Sequence, residues 1–250
     1  MNNYCFALVG LIVGSIAANA QDSEKTSGSR TAGAGKGDPA ATKLMNDTHS
    51  SWAHWKNFPG FTADLEVNLD GKISKGKVEV TSLGKVNVDL PPSTAQAFAE
   101  TILASIAEHR LRQRRDVEAP AVFVDDNTTH PLGRAIRLLE GTPGMSFRVR
   151  GREYGEIDRR KGDVRYTHAI LDNRPSQDGQ HLTISYVGNM WDTKTGALRR
   201  SEATHQTWER VGKFDLPTAV TQITASADNK LEVGMLKLSN FKVNAAAAGK

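Results

Sequence analysis

The sequence predicts an α+β fold: a large, curled antiparallel β-sheet, shaped like half a barrel, with an N-terminal helix and a long inserted helix. Three observations predict it. From Phe61 to Leu69 apolar residues alternate strictly with Thr62, Asp64, Glu66 and Asn68, the period of a half-buried strand. Beyond residue 146, strand-like runs recur between turn clusters such as Lys161-Gly162-Asp163, Asp192 to Gly196 and Asp228-Asn229-Lys230, the pattern of an antiparallel meander. Only two stretches, 39–58 and 93–115, carry the three-and-four spacing of amphipathic helices.

The chain opens with an apolar run at residues 5–20, which is shorter than the roughly 20 residues a membrane span needs. It ends in Ala18-Asn19-Ala20, the small-x-small pattern of a signal-peptidase site, so residues 1–20 read as a signal peptide with cleavage before Gln21. The residues ahead of the run lack Lys and Arg, which leaves an uncleaved anchor as the alternative. Residues 21–38 are Ser, Gly, Thr and charge, a composition that buries too little apolar area to offset chain entropy, and read as a flexible linker. Its Gly33-Ala34-Gly35-Lys36 lacks the strand, the GK[ST] ending and the helix that a phosphate loop requires. Residues 39–243 then form a single α+β domain and 244–250 a disordered tail.

Asp38 and Pro39 supply an N-cap and a first helical position. Met45, Thr48, Trp52 and Trp55 then share one helical face, and Pro59-Gly60 stops the helix at Phe58. After the strand at Phe61–Leu69, Asp70-Gly71 makes a hairpin; Val78 and Val80 mark the return strand, and Val86, Val88 and Leu90 the third. Ser93 and Gln96 form a capping box. The helix behind it runs to about Arg115, with Ala95, Phe98, Ala99, Ile102 and Ile106 on one face and cations in its last turn. Ala121–Val124 reads as a short strand and Pro131–Glu140 as a short helix or strand. A strand over residues 197–211 would span about 45 Å, which demands a strongly twisted sheet. In the last run Leu236 and Leu238 share one face, while Phe241 and Val243 fall on the other unless a bulge near Asn240 restores them. The count comes to about eight to ten strands, the usual ceiling for an uncurled sheet.

Composition excludes several function classes. With 250 residues there is room for one large domain or two small ones, and with 32 basic against 28 acidic residues the formal charge is +4. The single cysteine, Cys5, falls inside the signal peptide, which rules out a disulfide framework and any thiolate metal cluster. None of the seven histidines pairs at i, i+4, so they read as scattered, and neither a metal nor another cofactor is expected. No G-x-S-x-G elbow occurs, and the two S-x-x-K matches, Ser74–Lys77 and Ser82–Lys85, fall on strand or turn instead of one helical face. Asp125-Asp126 reads as a solvated loop, because sequence neighbours diverge. No catalytic residue is therefore assigned.

The segment Trp55-Lys56-Asn57-Phe58-Pro59-Gly60-Phe61-Thr62-Ala63 resembles the W-x-x-F-P-G-[FY]-x-A approach to the first strand in a bacterial and plastid family, domain of unknown function 3386. Trp208 followed by Phe214-Asp215-Leu216-Pro217 is similar to the C-terminal half of that family. The order of helix, amphipathic strands, inserted helix and meander also resembles the periplasmic lipoprotein-carrier half-barrels. The first resemblance carries no catalytic residue; the second is an analogy of architecture, in which the inner face of the sheet either packs the helix or encloses a ligand.

Arg148, Arg150 and Arg152 fall at period two and so project from one sheet face. Few aromatics lie nearby, so a nucleic-acid groove is not expected. Anionic lipid headgroups or acidic cell-wall polymers are compatible with them, while Glu153, Glu156 and Asp158 keep a merely solvated face open. The functional expectation is an exported, non-enzymatic binding protein, periplasmic or secreted. It would hold a lipid or other amphiphile between sheet and helix, with Phe98 and Ile102 against the chain and Arg148, Arg150 and Arg152 at the headgroup. The alternatives are an envelope structural protein with a packed core and an exported hydrolase; the oligomeric state stays open.

Overall fold

The computed structural model describes residues 37–111, 119–126, 128–139 and 145–245. The signal peptide, the linker through residue 36, the helical extension to Arg115, the Gly141–Gly144 closure and residues 246–250 of the tail lie outside the described residues.

Helix α1 spans Pro39–Ser50. The Asp38 carboxylate accepts the N–H of Ala40 at 2.7 Å and of Ala41 at 3.3 Å, so two of the unpaired donors of the first turn are satisfied. The helix does not reach Phe58. Instead the chain turns out at Ser51, whose hydroxyl donates to the carbonyl of Arg152 at 2.6 Å. Ala53 then donates to His181 at 3.0 Å, His181 to Ser51 at 2.7 Å and Trp55 to Arg110 at 2.8 Å. Backbone bonds to distant segments thus replace the helical ones. The helical spacing of Trp52 and Trp55 came from both side chains being drawn inward, each to a different place.

Strands β1 (Gly60–Leu69), β2 (Lys72–Thr81) and β3 (Val86–Asp89) precede helix α2 (Thr94–Leu111). After it come β4 (Ala121–Phe123), β5 (Arg134–Leu138), β6 (Ser146–Arg150), β7 (Glu153–Lys161), β8 (Val164–Pro175) and β9 (His181–Asp192). β10 (Leu198–Val211), β11 (Phe214–Ser226) and β12 (Leu231–Val243) complete one 12-stranded sheet of order β3-β2-β1-β12-β11-β10-β9-β8-β7-β6-β5-β4. Every pairing is antiparallel. The strand number exceeds the eight to ten expected: β4 falls on the short strand read at Ala121–Val124, β5 resolves the Pro131–Glu140 stretch as strand, and β7, whose Asp158, Arg159, Arg160 and Lys161 show no apolar alternation, adds a further one.

The topology places α2. β3 and β4 are the two outer strands of the sheet, and α2 lies between them in the chain. Phe98 of α2 rests on β12 at Gly234, where an added Cβ would lie 2.5 Å from the ring. Arg110, three turns on, sits over Trp208 of β10. The same helix packs on β2, β1 and β12 at one end and reaches β10 at the other, so the sheet curls around it, open and unclosed. The main core fills this concave face: Phe61, Ala63, Leu65 and Val67 of β1, Val78 and Val80 of β2, and Leu236 and Leu238 of β12, against Ala99, Ile102, Leu103, Ile106 and Ala107 of α2. A second cluster joins Ala41 and Met45 of α1 to Ala121, Ile136, Phe147, Val149 and Tyr154.

Two local predictions meet detail. The bulge at Asn240 is present: the β1–β12 register shifts between Thr62 and Asp64, Asn240 has φ +54°, and its side-chain amide donates to Asp64 at 2.7 Å. Phe241 thereby returns to the core, 5.5 Å from the Phe61 ring. The capping box is half made. Ser93 Oγ accepts from Gln96 N–H at 3.3 Å, while the Gln96 side chain turns to Glu100 and the Val88 carbonyl.

Candidate functional site

The segments that carry the family resemblance meet each other. Trp55 stacks on Phe58 with centroids 4.4 Å apart, and Phe58 meets Phe214 edge-on at 5.2 Å. Trp55 Nε1 donates to the Asp215 carbonyl at 2.8 Å. Gly60 between them has φ +96°, and a Cβ there would lie 2.6 Å from the Val80 carbonyl oxygen, so only glycine fits. The motif is a structural plug that locks the start of β1 to the β10–β11 hairpin.

Beside this plug, between the C-terminal half of α2, the α1–β1 connection and the concave face of β6–β10, lies a cavity of about 190 Å³. Trp52, Ile106, Met145, Phe147, Ile157, Ile170 and Trp208 supply apolar wall. Tyr154, Tyr186, Ser105, Thr183 and Gln206 add neutral polar groups. His49, His54, His109 and His168 complete it with Arg110 and Arg159. Four histidines expected to be scattered are therefore gathered, drawn from α1, the following connection, α2 and β8. No spacing within one element could have revealed them. Among the described residues no group of three or more His, Cys, Asp and Glu is arranged to hold a metal.

Burial shapes the charge states. His168 is held down to about 4, first by burial and then by the positive charge of Arg159 and by His109. It is therefore a neutral imidazole near pH 7. Burial, followed by Arg110, also lowers His54. Arg110 is only 6% exposed, and burial reduces its affinity for its proton to about 10, with Asp215 opposing the fall. It remains charged at neutral pH. It donates to the Ala53 carbonyl at 3.0 Å and lies 4.6 Å above the Trp208 ring. The Tyr154 hydroxyl bonds the His49 imidazole, tying the cavity wall to the end of α1.

The residues named from sequence lie elsewhere. Ile102 is buried in the main core and Phe98 is packed on Gly234, so neither borders the cavity. Arg148 and Arg150 alternate with Phe147 and Val149, which face inward, and so project from the outer face. Arg148 pairs with Asp125 at 3.1 Å, and Arg150 donates to the Pro131 carbonyl at 3.2 Å. Asp125 is thus a half-buried ion-pair partner, not a solvated loop carboxylate. Arg152 falls past the strand end, in the turn, 3.5 Å from the Asp47 carbonyl. Period two correctly set Arg148 and Arg150 on one face, but only the tertiary structure says that it is the outer one. Of the small residues on α2, Ala99 and Ala107 are fully buried in the main core, where they permit close helix–sheet packing.

Fold and site together define an open α+β half-barrel with a half-open pocket under its long helix. Residues 37–243 match the family described as protein of unknown function (DUF3386), and the chain belongs to that family. No curated protein matches the chain. Among solved structures, a LolA superfamily protein from Nitrosomonas europaea is similar at 10% identity and a TM-score of 0.25, covering 82% of this chain and 94% of that one. Among the described residues no helix is long and apolar enough to cross a membrane.

Proposed function

We propose that this protein is an exported, non-enzymatic carrier of an amphiphile whose apolar part occupies the cavity under α2. The observation that supports it is the cavity itself. An interior packed to ordinary density leaves few voids larger than a water molecule. Here Trp52, Ile106, Phe147, Ile157, Ile170 and Trp208 line a half-open pocket with about 190 Å³ of unfilled space. Cavities of about 150 Å³ admit a benzene ring, so this one takes a short alkyl chain or the leading part of a longer one. Ligand sites of this type pair an apolar wall with a few convergent polar groups, which the histidines, tyrosines and arginines supply.

The test is native mass spectrometry of the full chain purified without detergent, followed by titration of the extracted protein with the neutral fluorescent probe N-phenyl-1-naphthylamine. The expected result is a retained small-molecule mass, or saturable probe binding at one site per chain. Absence of both would overturn the carrier reading.

A further inference from the structure

We infer that the amphiphile carries an anionic head, a carboxylate or a phosphate ester, and that Arg159 receives it inside the cavity. The inference rests on the carrier reading and specifies its ligand class. Its first support is the sign of the wall. Among the described residues the cavity lining holds two arginines and four histidines, and no aspartate or glutamate. A low-dielectric enclosure lined by one sign of charge concentrates ligands of the other.

Its second support is Arg159 itself. The side chain leaves β7 on the same face as Ile157, toward the cavity, and is half-buried. The guanidinium lies 5.0 Å from the Tyr166 ring centroid, which holds its plane in place. Its Nε is shielded from solvent and has no hydrogen-bond partner. Other arginines nearby are engaged: Arg110 by the Ala53 carbonyl and Trp208, Arg165 by Asp158, Arg148 by Asp125. Glu108 on α2 lies close enough to act on Arg159 electrostatically. An Nε–H shielded from solvent at the cavity wall and without an acceptor carries a desolvation cost that an anion relieves, and the guanidinium fork suits carboxylate and phosphate oxygens.

The third support is the neighbouring histidine. His168, across from Ile157 in the β7–β8 register, also borders the cavity. Its imidazole lies over Gly188, where even a methyl group would come within 3.3 Å of it. The bare glycine leaves that ring room beside Arg159, where it can donate a hydrogen bond to a bound head.

The experiment compares four ligands of one chain length on the delipidated full chain by isothermal titration: octanoate, octyl phosphate, octanol and octylammonium. The wild type should bind at least one of the two anions ~10–100-fold more tightly than octanol, the ratio a charge-assisted hydrogen bond supplies. The tighter anion identifies the head. Arg159→Gln should remove that preference and leave octanol affinity within about twofold, a change below 0.5 kcal/mol. Arg150→Gln, on the outer face, should leave both unchanged. A matching melting temperature for Arg159→Gln shows that the loss is not unfolding. If octanol and the anions bind equally, or if Arg159→Gln leaves the preference intact, the inference fails while the carrier reading stands. If none of the four binds, both fail.

Discussion

Replacing Ile170 by tryptophan separates a ligand cavity from a packing defect. Ile170 lies on β8, borders the cavity and belongs to the cluster under α1. An empty apolar cavity costs about 24 cal/mol per Å³. For 190 Å³ that rate gives roughly 4–5 kcal/mol, an upper bound because it describes closed voids and this pocket is partly open to solvent. The arginines and histidines that share the wall do not contribute to that figure, and an indole fills only part of the space. The recoverable share is therefore about 1 kcal/mol, within the usual yield of cavity filling. For a chain of this size that raises the melting temperature by ~2–4 °C. In the same variant, saturable binding of N-phenyl-1-naphthylamine should disappear, along with the stabilisation a ligand gives by mass action, about 2.7 kcal/mol at a hundredfold excess over Kd. Calorimetry with and without octanoate, alongside the probe titration, reads both effects. A variant that is destabilised by more than 1 kcal/mol and still binds the probe like wild type would refute the reasoning, because the indole would then have met packed atoms and the probe would sit elsewhere.

Two further outcomes follow from burial and charge. Leu65 is 3% exposed on the concave face, so Leu65→Asp should cost several kcal/mol or unfold the chain in urea titration, whereas Glu66→Ala, on the opposite face of the same strand, should leave the midpoint unchanged. His168 has a proton affinity lowered from 6.5 to about 4 by folding, so it contributes stability above pH 6.5 that is lost as the pH falls toward 4. The loss amounts to at most about 3 kcal/mol, and His168→Gln should flatten the difference in urea midpoint between pH 7 and pH 4.5; an unaltered slope would show that His168 is not buried as described.

What the sequence determined was set by local periodicity and local chemistry. Strict alternation in β1, the Asp70-Gly71 turn, the Asp38 cap and the displaced phase of Phe241 each sit within a few residues. Each was realised, the last as a bulge at Asn240. The α+β class and the curl followed from adding such elements. The tertiary structure decided everything that depends on which face is inside and on what lies far away in the chain. Alternation put Arg148 and Arg150 together, yet only the packing of Phe147 and Val149 under α1 turns the arginines outward. Trp52 and Trp55 kept helical spacing while the backbone between them found its partners on β9 and α2. The cavity wall was invisible for the same reason. His49, His54, His109, Arg159 and His168 come from five separate segments, and only the crossing of α2 between the two outer strands of the sheet brings them around one space.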